Sequence, residues 1–192
     1  DPLHGGNGAD TLNGSYGADL INISELIHAT DTVQVMAETE YSGSTVAHPD
    51  TVVHFDVSGT TTNDKLGLAT LEISGNVLHK DGIDVGSLAK HSITGGILRF
   101  ENSAGVAVTI NESNLDDALM YLFRNLPTAG KTTAFGVDTD ASGNNDSLYV
   151  YQPDSYQDPT EFAYYTLVKL AGVNGVTLAT SAGLNKVQIV DT

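Results

Sequence analysis

Large apolar residues recur at a fixed interval at the start of the chain. Leu3, Leu12 and Ile21 are nine residues apart, and each lies two places after an aspartate: Asp1, Asp10 and Asp19. A nine-residue period fits neither a helical stripe nor the two-residue alternation of one long strand. It describes a coil in which a short strand buries one apolar side chain, a polar turn follows, and the next strand begins. Farther on the pattern changes to short β-branched runs. Residues 32–35, 51–57, 65–68, 71–73 and 76–79 read as strands, with Ser74-Gly75 a turn between the last two. Residues 96–100 and 106–110 flank a polar stretch at 101–105 and predict a hairpin. One helix is expected, over 115–125: Leu115, Leu119, Leu122 and Leu126 form one apolar stripe suited to packing on a sheet. Asn114 is placed to cap it, Asp116 and Asp117 suit its positive end, and Pro127 stops it. Strands return at 133–137, 148–152, 164–170, 175–178 and 186–190.

The turns between the first apolar residues carry the chemistry. Gly5-Gly6-Asn7-Gly8-Ala9-Asp10-Thr11-Leu12-Asn13 fits G-G-x-G-x-D-x-U-x at every place, where U is a large apolar residue. Gly14-Ser15-Tyr16-Gly17-Ala18-Asp19-Leu20-Ile21-Asn22 departs only at Ser15. Asp1-Pro2-Leu3-His4 matches the last four places of another such unit, so the chain starts inside a repeat and a longer parent protein is expected. Tight turns whose carbonyls face inward need residues at positive φ, which glycine adopts freely. Aspartate adds charge, and Ca²⁺ takes about 6–8 oxygen ligands of this kind. Asp1, Gly5, Gly6, Gly8, Asp10, Gly14, Gly17 and Asp19 are therefore the candidate calcium positions. With two units per turn of coil, Asp1 and Asp19 fall on one side and Asp10 on the other. The next loop on the Asp10 side, at 23–28, has no glycine and only Glu25 as a carboxylate, so the repeat is expected to end near Asn22. A flexible Gly/Asp linker has no reason to keep Leu3, Leu12 and Ile21 in phase.

A second candidate lies at Asp138, Asp140, Ser142 and Asp146, where oxygen-bearing residues alternate ahead of Gly143 as in an EF-hand-like loop. The glutamate expected at the twelfth place is replaced by Tyr149, and a solvated Asx-rich hairpin loop reads the same residues equally well.

Charge narrows the function. Eight Lys and Arg face 24 Asp and Glu in 192 residues, a net charge of −16, which excludes a general nucleic-acid binder and gives no attraction to an anionic membrane. Divalent cations would relieve such self-repulsion. There is no cysteine, so disulfides and thiol chemistry are excluded. No apolar run reaches the ~18 residues of a transmembrane helix. The six histidines, at 4, 28, 48, 54, 79 and 91, form no H-E-x-x-H, and no G-x-S-x-G occurs. No enzyme activity is expected of these residues. Tyr149, Tyr151, Tyr156, Tyr164 and Tyr165 cluster within seventeen residues, and Tyr149 and Tyr151 share a strand face, which suits strand packing or, in the alternative, stacking on sugars.

The order of parts resembles the carboxy-terminal region of RTX proteins exported by type I secretion, above all large calcium-binding surface proteins such as S-layer proteins and giant adhesins. The two nonapeptides carry the resemblance. So do Asp31-Thr32-Val33, Asp50-Thr51-Val52-Val53-His54-Phe55, Asp64-Lys65-Leu66, residues 111–126, Asp146-Ser147-Leu148-Tyr149-Val150-Tyr151, and Leu167-Val168-Lys169-Leu170-Ala171-Gly172-Val173. It implies a mainly β fold, with the end of a short parallel RTX β-roll in residues 1–35. A β-sandwich or β-solenoid-like capping and secretion module with one helix would follow in residues 36–192. It further implies an extracellular protein that folds on Ca²⁺ after export, with the exporter, further copies of itself or cell-surface polysaccharide as partners. Two alternatives stay open: the tail of an exoenzyme such as a lipase, protease or epimerase, and a carbohydrate-binding module.

Overall fold

The computed structural model describes residues 1–15, 17–35, 49–57, 63–68, 72–153, 165–180 and 186–191. Its first six strands are short: β1 (Pro2–His4), β2 (Thr11–Asn13), β3 (Leu20–Asn22), β4 (Thr32–Gln34), β5 (Asp50–Val53) and β6 (Lys65–Gly67). They alternate between two sheets, each strand parallel to the one two places before it. In one sheet Leu3 stands opposite Ile21 and Ile21 opposite Val52. In the other, Leu12 stands opposite Val33 and Val33 opposite Leu66. The apolar residue two places after each aspartate is thus the stacking unit of a coil. This coil continues past Asn22, where the nonapeptide pattern ends. Its later turns are spelled Asp31-Thr32-Val33, Asp50-Thr51-Val52 and Asp64-Lys65-Leu66, at spacings no fixed repeat would give.

The remainder is laid against the last rungs. β7 (Glu72–Ile73), β8 (Val77–Val85), β9 (Leu88–Thr94) and β10 (Ile97–Glu101) precede the helix α1 (Leu115–Asn125). β11 (Lys131–Val137), β12 (Ser147–Pro153), β13 (Tyr165–Ala171), β14 (Val176–Thr180) and β15 (Lys186–Asp191) follow it. The larger sheet is ten-stranded and mixed, ordered β1-β3-β5-β13-β12-β11-β10-β9-β8 with β7 on β11; the smaller runs β14-β15-β6-β4-β2. β13 pairs in parallel with β5, and β15 pairs antiparallel with β6. Both downstream edges of the coil are therefore covered by later strands, which removes two unpaired edges. Ladder and core both cross residue 35: Leu12, Ile21, Val33, Val52 and Leu66 pack in one cluster with Val150, Val168, Leu170 and Ile189.

Strand alternation builds a second core on the far face of the large sheet. Along β12, Leu148 and Val150 face the coil cluster, while Tyr149 and Tyr151 face Leu119, Tyr121 and Leu122 of the helix. The helix has the expected bounds, but Asn114 is not its side-chain cap. Its amide bridges Asn111 N–H and the Thr109 carbonyl instead. The hairpin expected across 96–110 is reduced to an isolated bridge between Glu101 and Ala107, and 106–110 is not a strand.

Candidate metal centre

Each aspartate that opens a rung is tied to the rung below it. Asp10 N–H donates to Asp31 Oδ1 at 2.8 Å, Asp19 N–H to Asp50 Oδ1 at 3.0 Å, and Asp31 N–H to Asp64 Oδ1 at 2.9 Å. The Asp1 backbone nitrogen lies 2.5 Å from Asp19 Oδ1 in the same relation. Two ladders result, Asp1–Asp19–Asp50 on one side and Asp10–Asp31–Asp64 on the other. They place Asp1 and Asp19 together, and Asp10 opposite, as the nine-residue spacing predicts.

One oxygen of each carboxylate is spent on the ladder where a rung lies above it. The other is left over: Asp10 Oδ2, Asp19 Oδ2 and Asp31 Oδ2 are buried and have no hydrogen-bond partner. An ionised oxygen held from water without a donor is costly, and a cation is one way to satisfy it. Burial pushes the Asp31 and Asp50 carboxyls up, and neighbouring carboxylates add to that. Asp64, buried and facing Asp31 and Asp56, rises to about 6 although two backbone N–H groups oppose the shift.

The glycines allow this approach. A Cβ on Gly14 would sit 2.5 Å from Asp19 Oδ2, and one on Gly5 would sit 3.2 Å from Asp10 Oδ2. Gly6, Gly8 and Gly17 take φ of 86°, 101° and 100°, and Ser15, at the place of Gly6, is forced to 65°.

A residue outside the glycine pattern joins the site. Glu25 comes from the glycine-free segment after β3, and oxygens of Asp10, Glu25 and Asp31 all lie within 4.8 Å of one another. Glu25 accepts Gly8 N–H at 2.9 Å and Ala29 N–H at 2.5 Å, while Leu26 N–H donates to Asn7 Oδ1 at 3.1 Å. The segment at 23–30 is thereby docked on the loop at 5–9.

Asp138, Asp140 and Asp146 also bring oxygens within 4.8 Å. Their chemistry differs. Both Asp138 oxygens accept loop N–H groups, from Ser142 at 3.1 Å and Gly143 at 2.8 Å. Asp146 accepts the Thr139 hydroxyl at 2.7 Å and the Ser147 hydroxyl at 2.9 Å. Ser142 N–H donates to Asp140 at 2.9 Å. Hydroxyl donors hold the Asp140 and Asp146 carboxyls low, through Ser142 and Thr139 respectively. The loop satisfies its own carboxylates.

The tyrosines of β12 are packing residues. Tyr149 is 6% exposed and stacks on Phe135, and Tyr151 is fully buried beside Tyr165, so neither offers a ring to a sugar. Tyr156 and Tyr164 lie outside the described residues. Among the histidines, His79 binds Glu101 at 2.6 Å and His91 binds the Tyr121 hydroxyl at 3.0 Å. His28 lies 3.3 Å from Asp56. No described helix is long and apolar enough to cross a membrane.

Comparison with protein-family models, with curated proteins and with solved structures gives no match.

Proposed function

We propose that the coil is a calcium-binding RTX-type β-roll. In this reading the chain is a non-catalytic terminal module of an extracellular protein exported by type I secretion, and the β module behind the roll closes it. One observation carries the reading: three aspartates of the two ladders, Asp10, Asp19 and Asp31, each keep one buried oxygen unpaired, and Asp10 and Asp19 close glycine-rich turns. Raised pKa values at Asp31, Asp50 and Asp64 support it: burial, with a smaller contribution from neighbouring carboxylates, makes those groups hard to ionise, and a cation offsets both. So does the charge of −16. Calcium suits the set better than magnesium, which demands a tight octahedron of small, well-hydrated geometry.

Secretion and surface assembly follow from the resemblance rather than from the geometry. Calcium is scarce inside the cell, so an extended chain passes the exporter and the roll closes outside, where metal binding adds folding free energy. The test is isothermal titration of the metal-free protein with Ca²⁺ and Mg²⁺, with far-ultraviolet circular dichroism on the same samples. The expected result is saturable Ca²⁺ binding with a gain of β signal and a much weaker Mg²⁺ response. Absence of any Ca²⁺ binding at millimolar concentration overturns the proposal.

A further inference from the structure

The nonapeptide pattern assigns ligands to glycine-rich loops, and the segment at 23–30 has no glycine. We infer that this irregular segment nevertheless builds a cation site of its own kind, in which Glu25 joins Asp10 and Asp31 in a three-carboxylate calcium site. The inference rests on the calcium reading of the coil and goes beyond it by naming a site that the repeat does not predict.

Two independent observations meet here. The first is proximity: one oxygen from each of the three residues falls within 4.8 Å of the other two. Three like charges at that distance repel strongly unless a cation lies among them. The second is an orphan. Asp31 is 1% exposed, its Oδ1 is occupied by Asp10 N–H, and its Oδ2 is buried with no donor. Asp10 Oδ2 is in the same condition. Glu25 accepts one N–H on each oxygen, and a carboxylate oxygen carries a second lone pair that a hard cation can take.

The local structure explains why no glycine is needed. In the loop at 5–9 the backbone itself bends back, with Gly6 and Gly8 at positive φ. In the segment at 23–30 the longer glutamate side chain brings the oxygen to the site, so the backbone can remain ordinary. Its placement is fixed by Gly8 and Ala29 N–H, and the two loops are closed on each other by Leu26 N–H on Asn7. A site with three carboxylates carries more charge than one built from carbonyls and a single aspartate. Ligand charge is a main determinant of calcium affinity, so this site fills before the others in the coil.

Glu25→Gln tests this directly: it removes the charge and keeps one side-chain oxygen, which can accept either the Gly8 or the Ala29 N–H but not both. Titration of wild type and variant with Ca²⁺ is expected to show the tightest step lost or weakened by about tenfold or more. Glu25→Asp, which keeps the charge but shortens the reach, is expected to weaken the same step. Asp84→Asn, at an exposed carboxylate of β8 on the edge of the large sheet opposite the coil strands, is expected to leave it unchanged. Circular dichroism at saturating calcium checks that each variant folds. Wild-type titration without binding removes the calcium reading itself. Binding by wild type with an unaltered tightest step in Glu25→Gln leaves that reading standing and overturns the role of Glu25, which would then be only a clasp between two loops.

Discussion

Asp10 donates its backbone N–H to the carboxylate of Asp31, twenty-one residues along the chain, at 2.8 Å. The bond joins one turn of the coil to the next and occupies Asp31 Oδ1, while Oδ2 is buried without a partner. Under the proposed calcium reading, structure and binding use different oxygens of one side chain. Asp31→Ala removes the acceptor and strands a buried N–H, costing about 1–3 kcal/mol in the metal-free protein. Asp31→Asn keeps an acceptor and removes a disfavoured charge, so it costs less than the alanine variant. Both are expected to blunt the rise in melting temperature on adding calcium. Thermal unfolding with and without Ca²⁺ measures all of these terms, and an Asn variant with a full calcium response would contradict the division of labour.

Gly14 is a question of space. A methyl group there would sit 2.5 Å from Asp19 Oδ2, and the carboxylate would have to move. Gly14→Ala is expected to destabilise the protein by about 1–3 kcal/mol, the usual cost of overpacking, and to weaken binding on the Asp19 side. Chemical denaturation gives the first term and calcium titration the second.

Ser15 presents the opposite case. It sits at φ 65° where its counterpart in the preceding repeat is Gly6 at 86°. A side chain in this region costs about 1–2 kcal/mol, part of which glycine returns through the entropy of the unfolded chain. Ser15→Gly is expected to stabilise the coil by up to about 1 kcal/mol. A lower melting temperature in the variant would show that the serine is favoured for some other reason.

A separate acid response is built around Glu101. Burial alone would raise this fully buried carboxyl, but hydrogen bonds from His79, Ser92 and Arg99 outweigh it and bring it down to about 2 from an ordinary 4.5. A depressed carboxyl binds its proton more readily in the unfolded chain. Its stabilising contribution is present above about pH 4.5 and is lost as pH falls toward 2. Glu101→Gln is expected to be less stable than wild type at neutral pH and to lose less stability between those limits. Denaturation midpoints across the range decide the matter; parallel curves would refute it.

Much of this architecture is legible in the sequence wherever one local signal governs. The helix at 115–125 was carried by four leucines and a proline, and most strands by β-branched runs. Asn114 failed as a cap because its amide finds better partners in the turn before the helix. The sequence marks only the start of β8, at 76–79; the long hairpin of β8 and β9 carries no regular signal because two register shifts break its alternation and most of β8 is exposed. The coil was visible only while its spacing held at nine. Asp31, Asp50 and Asp64 repeat the Asp-x-apolar phrase, but insertions of unequal length separate them, and strand stacking tolerates such loops where a fixed-period search does not. The two-unit turn places Glu25 on the Asp10 side, but the missing glycines read as the end of the repeat, and its approach to Asp10 and Asp31 depends on a side-chain reach that spacing does not encode.

β15, at residues 186–191, forms the wall on which β6 rests, and β13 does the same for β5. Each of these pairings joins residues more than a hundred positions apart, Asp50 with Val168 and Gly67 with Lys186. Closing the coil at its downstream edge is therefore a long-range event, and the loop entropy it costs places it late in folding, after the local hairpins have formed.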